Sequence, residues 1–210
     1  MKKNISIGFD GLVRAGKSSL IHRLAKRLNA DILDEYKGYA YKYGLKSIPV
    51  FPKFPPQSYE EAINATNFFI NLEKIRVMDL ENMKEKSDHI ILIDRTYLSC
   101  LAFDYAARHL TGFDTFTEVK ELWQNNPKTT PDLLFYMDVS QENLKQRAIL
   151  NNNNFPQHFF DPIFNGHMRE FFHKKCDSNE NIIKINANED PTVVEKNVMS
   201  FINKYFTDSL

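Results

Sequence analysis

An α/β fold, with a five-stranded parallel sheet and helices on both faces, follows from three observations. Short apolar runs alternate with amphipathic segments along all 210 residues, the pattern of βα units. One of these runs, His89 to Ile93, is continuous rather than alternating, as in a strand covered on both faces. The first run leads directly into Gly11, four residues, then Gly16, Lys17 and Ser18, a Walker A spacing that needs a strand before it and a helix after it.

The chain meets both requirements. Ile5, Ile7 and Phe9 read as a buried strand, and Ser19 to Leu28 reads as a helix with Leu20, Ile21, Leu24 and Leu28 on one stripe. Glycines at 11 and 16 open backbone conformations closed to bulkier residues, so consecutive N–H groups can converge on phosphate oxygens at a helix N-terminus. The nucleotide-binding set is therefore Gly11, Ala15, Gly16, Lys17, Ser18 and Ser19. Lys17 reaches the β- and γ-phosphates, and Ser18 is a ligand for magnesium.

Further along, Asp31 to Tyr36 reads as a second strand that delivers Asp34 and Glu35 at its carboxyl end, the end that faces the ligand crevice in open sheets. Residues 37–57 are rich in aromatics and contain Pro49, Pro52, Pro55 and Pro56, so they read as a structured loop beside the site. Ser58 to Lys86 reads as one long helix with Ser58 as cap and Glu61 as its capping-box partner. Its polar stripe Asn64, Asn67, Asn71 and Lys74 faces either solvent or a cleft.

The strand His89 to Ile93 ends in Asp94 and Arg95, a Walker B-like position in which a carboxylate holds the metal and a guanidinium forks onto phosphate oxygens. Helices are expected over 99–109 and 116–123, a fourth strand over 131–138, and a helix over 141–150. The run Asn151 to Asn154 reads as a loop where a lid would lie, near 150–160. A helix over 162–176, a fifth strand over 182–185 and a closing helix over 191–205 complete one domain spanning residues 1–210.

Composition narrows the function. Lys plus Arg and Asp plus Glu number 27 each, so there is no overall field that draws the chain to nucleic acid or a membrane surface. Cys100 and Cys176 have no metal-ligand or disulfide spacing and are expected to be buried thiols in a reducing compartment. No apolar stretch is long enough to span a bilayer, and a cytoplasmic protein is expected.

These motifs together resemble the nucleoside and nucleotide kinases of the P-loop class, and most of all thymidylate kinase. The similarity rests on Phe9-Asp10-Gly11 through Ser18, on Asp94-Arg95 with Ser99, Ala102 and Phe103 downstream, and on Pro131-Asp132-Leu133-Leu134 with Asp138. The resemblance implies a P-loop kinase fold, ATP and Mg2+ as cofactors, and a homodimer. It also implies that Arg95 holds the acceptor and that Asp94 assists the metal. That family places its catalytic arginine in the P-loop or in the lid, and here Arg14 lies in the P-loop while Asn151 to Asn154 contains no arginine. Arg14 is thus expected to clamp the transferred phosphoryl group. Val13 stands where the family has a sugar-contacting aspartate, and valine accepts no hydrogen bond. Phe51-Pro52-Lys53-Phe54 matches only in part the family's phosphate-binding loop, with Lys53 as its cation. Lys74 or Arg76 corresponds to the family's base-reading arginine, and Phe68 or Phe69 to its stacking phenylalanine.

Two acceptors fit these residues. A nucleoside monophosphate, as in conversion of dTMP to dTDP, calls for cations, supplied by Arg95, Arg14 and Lys53. A neutral nucleoside hydroxyl calls for a carboxylate to take or orient its proton, supplied by Glu35 with Asp34 beside it. Arg14 and the motif around Asp94 favour the first. A nucleotide-binding regulatory module is the third reading, against which stands the absence of a guanine-reading Asn-Lys-x-Asp motif.

Overall fold

A computed structural model of the chain describes residues 5–43, 51–86, 89–150 and 157–208. Strand β1 (Ser6–Gly11) is buried at every position and runs into α1 (Lys17–Leu28) through the glycine turn. Then come β2 (Asp31–Leu33), α2 (Tyr36–Tyr43), α3 (Tyr59–Lys86), β3 (Ile91–Asp94), α4 (Tyr97–Thr111), α5 (Phe116–Gln124), β4 (Leu133–Asp138) and α6 (Gln141–Leu150). A 3-10 turn over Gln157–Phe160 precedes α7 (Pro162–Ser178), β5 (Ile182–Asn186) and α8 (Pro191–Asp208).

The five strands form one parallel sheet in the order β2-β3-β1-β4-β5. The order reverses at β1, whose carboxyl end is the switch point where open α/β sheets bind ligands. The larger core cluster packs Ile7, Phe9, Leu24, Trp123, Phe135 and Phe172 on the two faces of β1 and β4. A smaller one gathers Leu33, Tyr36, Tyr39, Leu72, Ile91 and Ile93 under α2 and α3.

The expected strands and helices are all present, with two changes of boundary that matter. The second strand stops at Leu33, because Tyr36 already opens α2. The expected loop over 37–57 is therefore helical up to Tyr43, since its prolines begin only at Pro49, while residues 44–50 lie outside the described residues. The start of α3 carries a modified capping box. Ser58 Oγ accepts from Glu61 N at 3.1 Å, and the Glu61 carboxylate accepts from Gln57 N at 2.8 Å instead of from Ser58 N. The stripe Asn64, Asn67, Asn71 and Lys74 is exposed. Cys100 and Cys176 are free and half-buried, not fully buried. Of the expected lid near 150–160, residues 151–156 fall outside the described residues. Among the described residues, no helix is long and apolar enough to cross a membrane.

Candidate active site

The turn between β1 and α1 is shaped by backbone that most residues avoid. Gly11 has φ +147°, and a Cβ there would come within 2.7 Å of the Met137 carbonyl oxygen. Gly16 has φ +93° and Arg14 has φ +68°. A non-glycine residue held in the left-handed region stores strain of about 1–3 kcal/mol, and such strain clusters at ligand clamps. Within this turn Lys17 folds back and donates to the carbonyls of Gly11 (3.1 Å) and Leu12 (2.8 Å). Burial, helped by repulsion from Arg95, lowers its pKa to about 7.

That lowered value has a measurable consequence. Above pH 7 the unliganded lysine is mostly neutral, and phosphate favours its cation, so nucleotide binding should take up a proton. Affinity should fall as pH rises above 7, by up to about tenfold per pH unit. Calorimetry at pH 8 in buffers of different ionisation enthalpy should read close to one proton taken up, whereas no uptake would mean that Lys17 is already charged.

Next to the turn, Ser18 Oγ donates to Asp94 Oδ2 at 2.7 Å. The other carboxylate oxygen, Asp94 Oδ1, is buried without a hydrogen-bond partner. A hydroxyl and a carboxylate with an unused oxygen are hard donors of the kind magnesium takes, with the remaining positions left to water and phosphate. The pair therefore fits that ion.

A second cationic group is built on the residue after Asp94. Arg95 also has positive φ, +65°. Its Nε lies 3.3 Å from Glu35 Oε2, and its Nη1 donates to Gly11 O (3.1 Å) and Ser99 Oγ (3.0 Å). Ser99 in turn donates to the fully buried carboxylate of Asp10, which also accepts from the backbone and side chain of Thr96. Burial, partly offset by these donors, raises the Asp10 pKa. A chain of contacts thus runs from β1 through α4 and fixes the guanidinium at the carboxyl end of the sheet.

A cavity of about 1230 Å³ opens above these groups. Of the residues expected from sequence, Arg14, Ala15, Gly16, Lys17, Ser18 and Ser19 line it, as do Glu35, Lys53, Phe69 and Arg95. Asp94 reaches it through Ser18. Asp34, Phe68 and Lys74 are not brought to it. Asp34 and Lys74 are exposed elsewhere, and Phe68 packs edge-on against Phe51 and Phe69. Arg76 reads no ligand at all. Its side chain is 0% exposed and is spent on Glu73 (2.8 Å) and on the carbonyls of Asp34, Asp94 and Arg95.

Other lining residues were not singled out from sequence, among them Arg147 and Asp104. Arg147, in the last turn of α6, donates to Arg14 O (3.1 Å) and Ala187 O (2.6 Å), tying the P-loop to the loop after β5. Asp104, on α4, sits in the wall beside Phe103. Neither carries a local signal in the sequence.

A P-loop at the switch point of a parallel sheet, with a lysine, a serine–carboxylate pair and an arginine around one cavity, defines a P-loop phosphotransferase. The model of the family described as thymidylate kinase matches residues 56–198, and the chain belongs to that family. It is an ATP-dependent nucleotide or nucleoside kinase. No curated protein matches the chain. Among solved structures, it is similar to deoxyadenosine kinase from M. mycoides with bound dATP, with a TM-score of 0.72 and 17% identity over 95% of this chain and 100% of that chain. The same enzyme with products bound gives a TM-score of 0.66 and 20% identity over 95% and 100%. Thymidylate kinase from Ehrlichia chaffeensis gives 0.63 and 16% over 95% and 99%. At these identities the likeness is one of fold.

Proposed function

We propose that this kinase transfers the γ-phosphoryl group of ATP to a hydroxyl of a nucleoside, with Glu35 as the residue that takes or orients the hydroxyl proton. The observation that carries this reading is the Glu35–Arg95 pair at the acceptor end of the cavity. A carboxylate beside the acceptor-binding guanidinium suits a neutral hydroxyl, whose proton must go somewhere. Against an incoming phosphate dianion the same carboxylate would be repulsive. The similarity to a deoxyadenosine kinase points the same way.

In this mechanism Arg95, held by Ser99, Gly11 O and Glu35, positions the acceptor for in-line attack. Lys17 and Arg14 balance charge on the transferred group, and Ser18 with Asp94 would hold Mg2+, which when bound offsets charge on the β- and γ-phosphates. Positioning and electrostatics carry the rate. A second reading, phosphorylation of a nucleoside monophosphate such as dTMP, is favoured by the family match and by Lys53, which lines the same cavity as Arg95.

The test is an ADP-release assay with magnesium-ATP over nucleosides and their 5′-monophosphates, with Lys17→Ala as the blank. Turnover of nucleosides, with Glu35→Gln lowering kcat about 10²- to 10⁴-fold, is the expected result. Turnover confined to monophosphates, with Glu35→Gln near wild type, would overturn the hydroxyl reading in favour of the second.

A further inference from the structure

The ladder between β2 and β3 ends at the pair Leu33 and Ile93. The next residues on the two strands are Asp34-Glu35 and Asp94-Arg95, and there a side chain of α3 takes over from the ladder. Arg76 donates from Nε to the Asp34 carbonyl (3.1 Å) and from Nη2 to the carbonyls of Asp94 (3.2 Å) and Arg95 (2.7 Å).

Each of these carbonyls governs a residue of the proposed mechanism. The Asp34 carbonyl belongs to the peptide that leads into Glu35. Those of Asp94 and Arg95 belong to the two peptides that flank the Arg95 Cα, where φ is +65°. A non-glycine residue persists in the left-handed region only when its surroundings over-determine it, and one guanidinium nitrogen bonded to both flanking peptides does so. On the far side of Glu35, the Tyr36 ring lies 4.4 Å from the same guanidinium. Glu35 is therefore braced through both of its chain neighbours.

Arg76 is itself anchored. Its Nη1 donates to Glu73 Oε2 at 2.8 Å, and Glu73 Oε1 accepts from Thr129 N and Oγ1, each at 2.7 Å. All three residues are buried, and none is among those that line the cavity.

We propose that Arg76 is a positioning residue for phosphoryl transfer. By holding three carbonyls in one rigid array, it sets the separation and aim of the Glu35 carboxylate and the Arg95 guanidinium, 3.3 Å apart, while contacting no substrate. The part of this role that runs through Glu35 rests on the hydroxyl reading above, whereas the part that runs through Arg95 holds for either acceptor. Lysine cannot take the place of the planar guanidinium, because an ammonium is a point charge without a fixed donor geometry.

The experiment compares wild type with two variants, measuring kcat, acceptor KM, urea unfolding and calorimetric affinity for ADP without magnesium. Arg76→Lys keeps a cation for Glu73 and loses the donor array. Glu73→Leu combined with Arg76→Met also removes the array, and exchanging a buried ion pair for apolar residues of similar volume is often neutral for stability. Both should lower kcat by about 10²-fold, the cost of misplacing reacting groups by an ångström from a distance. Affinity for ADP, which depends on the turn after β1, should stay at the wild-type level. A double-mutant cycle with Glu35→Gln supplies a readout that lost stability alone would not move. On that background the Arg76→Lys loss in kcat should shrink to about tenfold or less, the remainder acting through Arg95.

A wild-type kcat in the folded double variant, or an Arg76→Lys loss undiminished by Glu35→Gln, would overturn the proposal. If turnover is confined to monophosphates and Glu35→Gln has no effect, the hydroxyl reading falls by itself. The cycle is then run with Arg95→Lys, where a diminished loss upholds the role of Arg76 and an undiminished one removes it.

Discussion

Arg14→Ala is expected to lower kcat by about 10³- to 10⁵-fold, the range an arginine contributes when it balances charge on a phosphoryl group in flight. The expectation rests on position. Arg14 occupies a strained turn, φ +68°, and its side chain lines the cavity with Lys17 and Ser18. The competing arginine is Arg147, which lines the same cavity but has its guanidinium on the carbonyls of Arg14 and Ala187. Removing it should loosen the turn without removing the charge that faces the transferred group. Single-turnover rates of Arg14→Ala and Arg147→Ala at saturating ATP separate the two. A larger loss in Arg147→Ala would move the catalytic role from the P-loop to α6.

The largest effect on stability is expected at Arg76. Its side chain and that of Glu73 are both 0% exposed, and the Glu73 carboxylate also accepts from Thr129 N and Oγ1, each at 2.7 Å. The guanidinium lies over the Tyr36 ring, 4.4 Å from its centroid, and bonds the carbonyls that end β2 and β3. Breaking a buried pair by removing one partner leaves an uncompensated charge and costs about 3–5 kcal/mol. A domain with roughly 5–15 kcal/mol in hand would lose a large part of its margin. Urea unfolding of Arg76→Leu should show this loss. Arg76→Leu combined with Glu73→Gln should recover part of it, because the orphaned carboxylate is then gone. A single-variant loss below about 1 kcal/mol would mean that water reaches Glu73.

The P-loop was legible because its chemistry is contiguous. Gly11, Gly16, Lys17 and Ser18 act through neighbouring backbone, and the flanking strand and helix carry their own apolar periods. Asp94, Arg95 and Glu35 were legible for a related reason, since a residue that ends a parallel strand or follows it within a residue or two is delivered to the crevice by the strand itself. Arg76 was not. The resemblance set it, with Lys74, as a candidate base-reading arginine, whereas the fold turns it inward onto Glu73 and the Tyr36 ring. Asp104 was missed because a lone acid on an amphipathic helix gives no sign that it lines a cavity. Helix α2 was hidden by a run of prolines whose effect was extended too far upstream. The constraint of a proline reaches the residue before it, and Tyr43 lies six positions before Pro49.

The strand order has a consequence for how such an enzyme can change. With β1 in the middle, Glu35, Arg95 and Asp104 are carried on the β2 and β3 flank, while Arg147, Ala187 and Glu189 line the cavity from the β4 and β5 flank. Under the proposed mechanism, choice of substrate and use of ATP occupy opposite halves of one sheet and share the turn at its midline. Mutations that retune what is phosphorylated can accumulate on one flank while the machinery that spends ATP is inherited unaltered on the other.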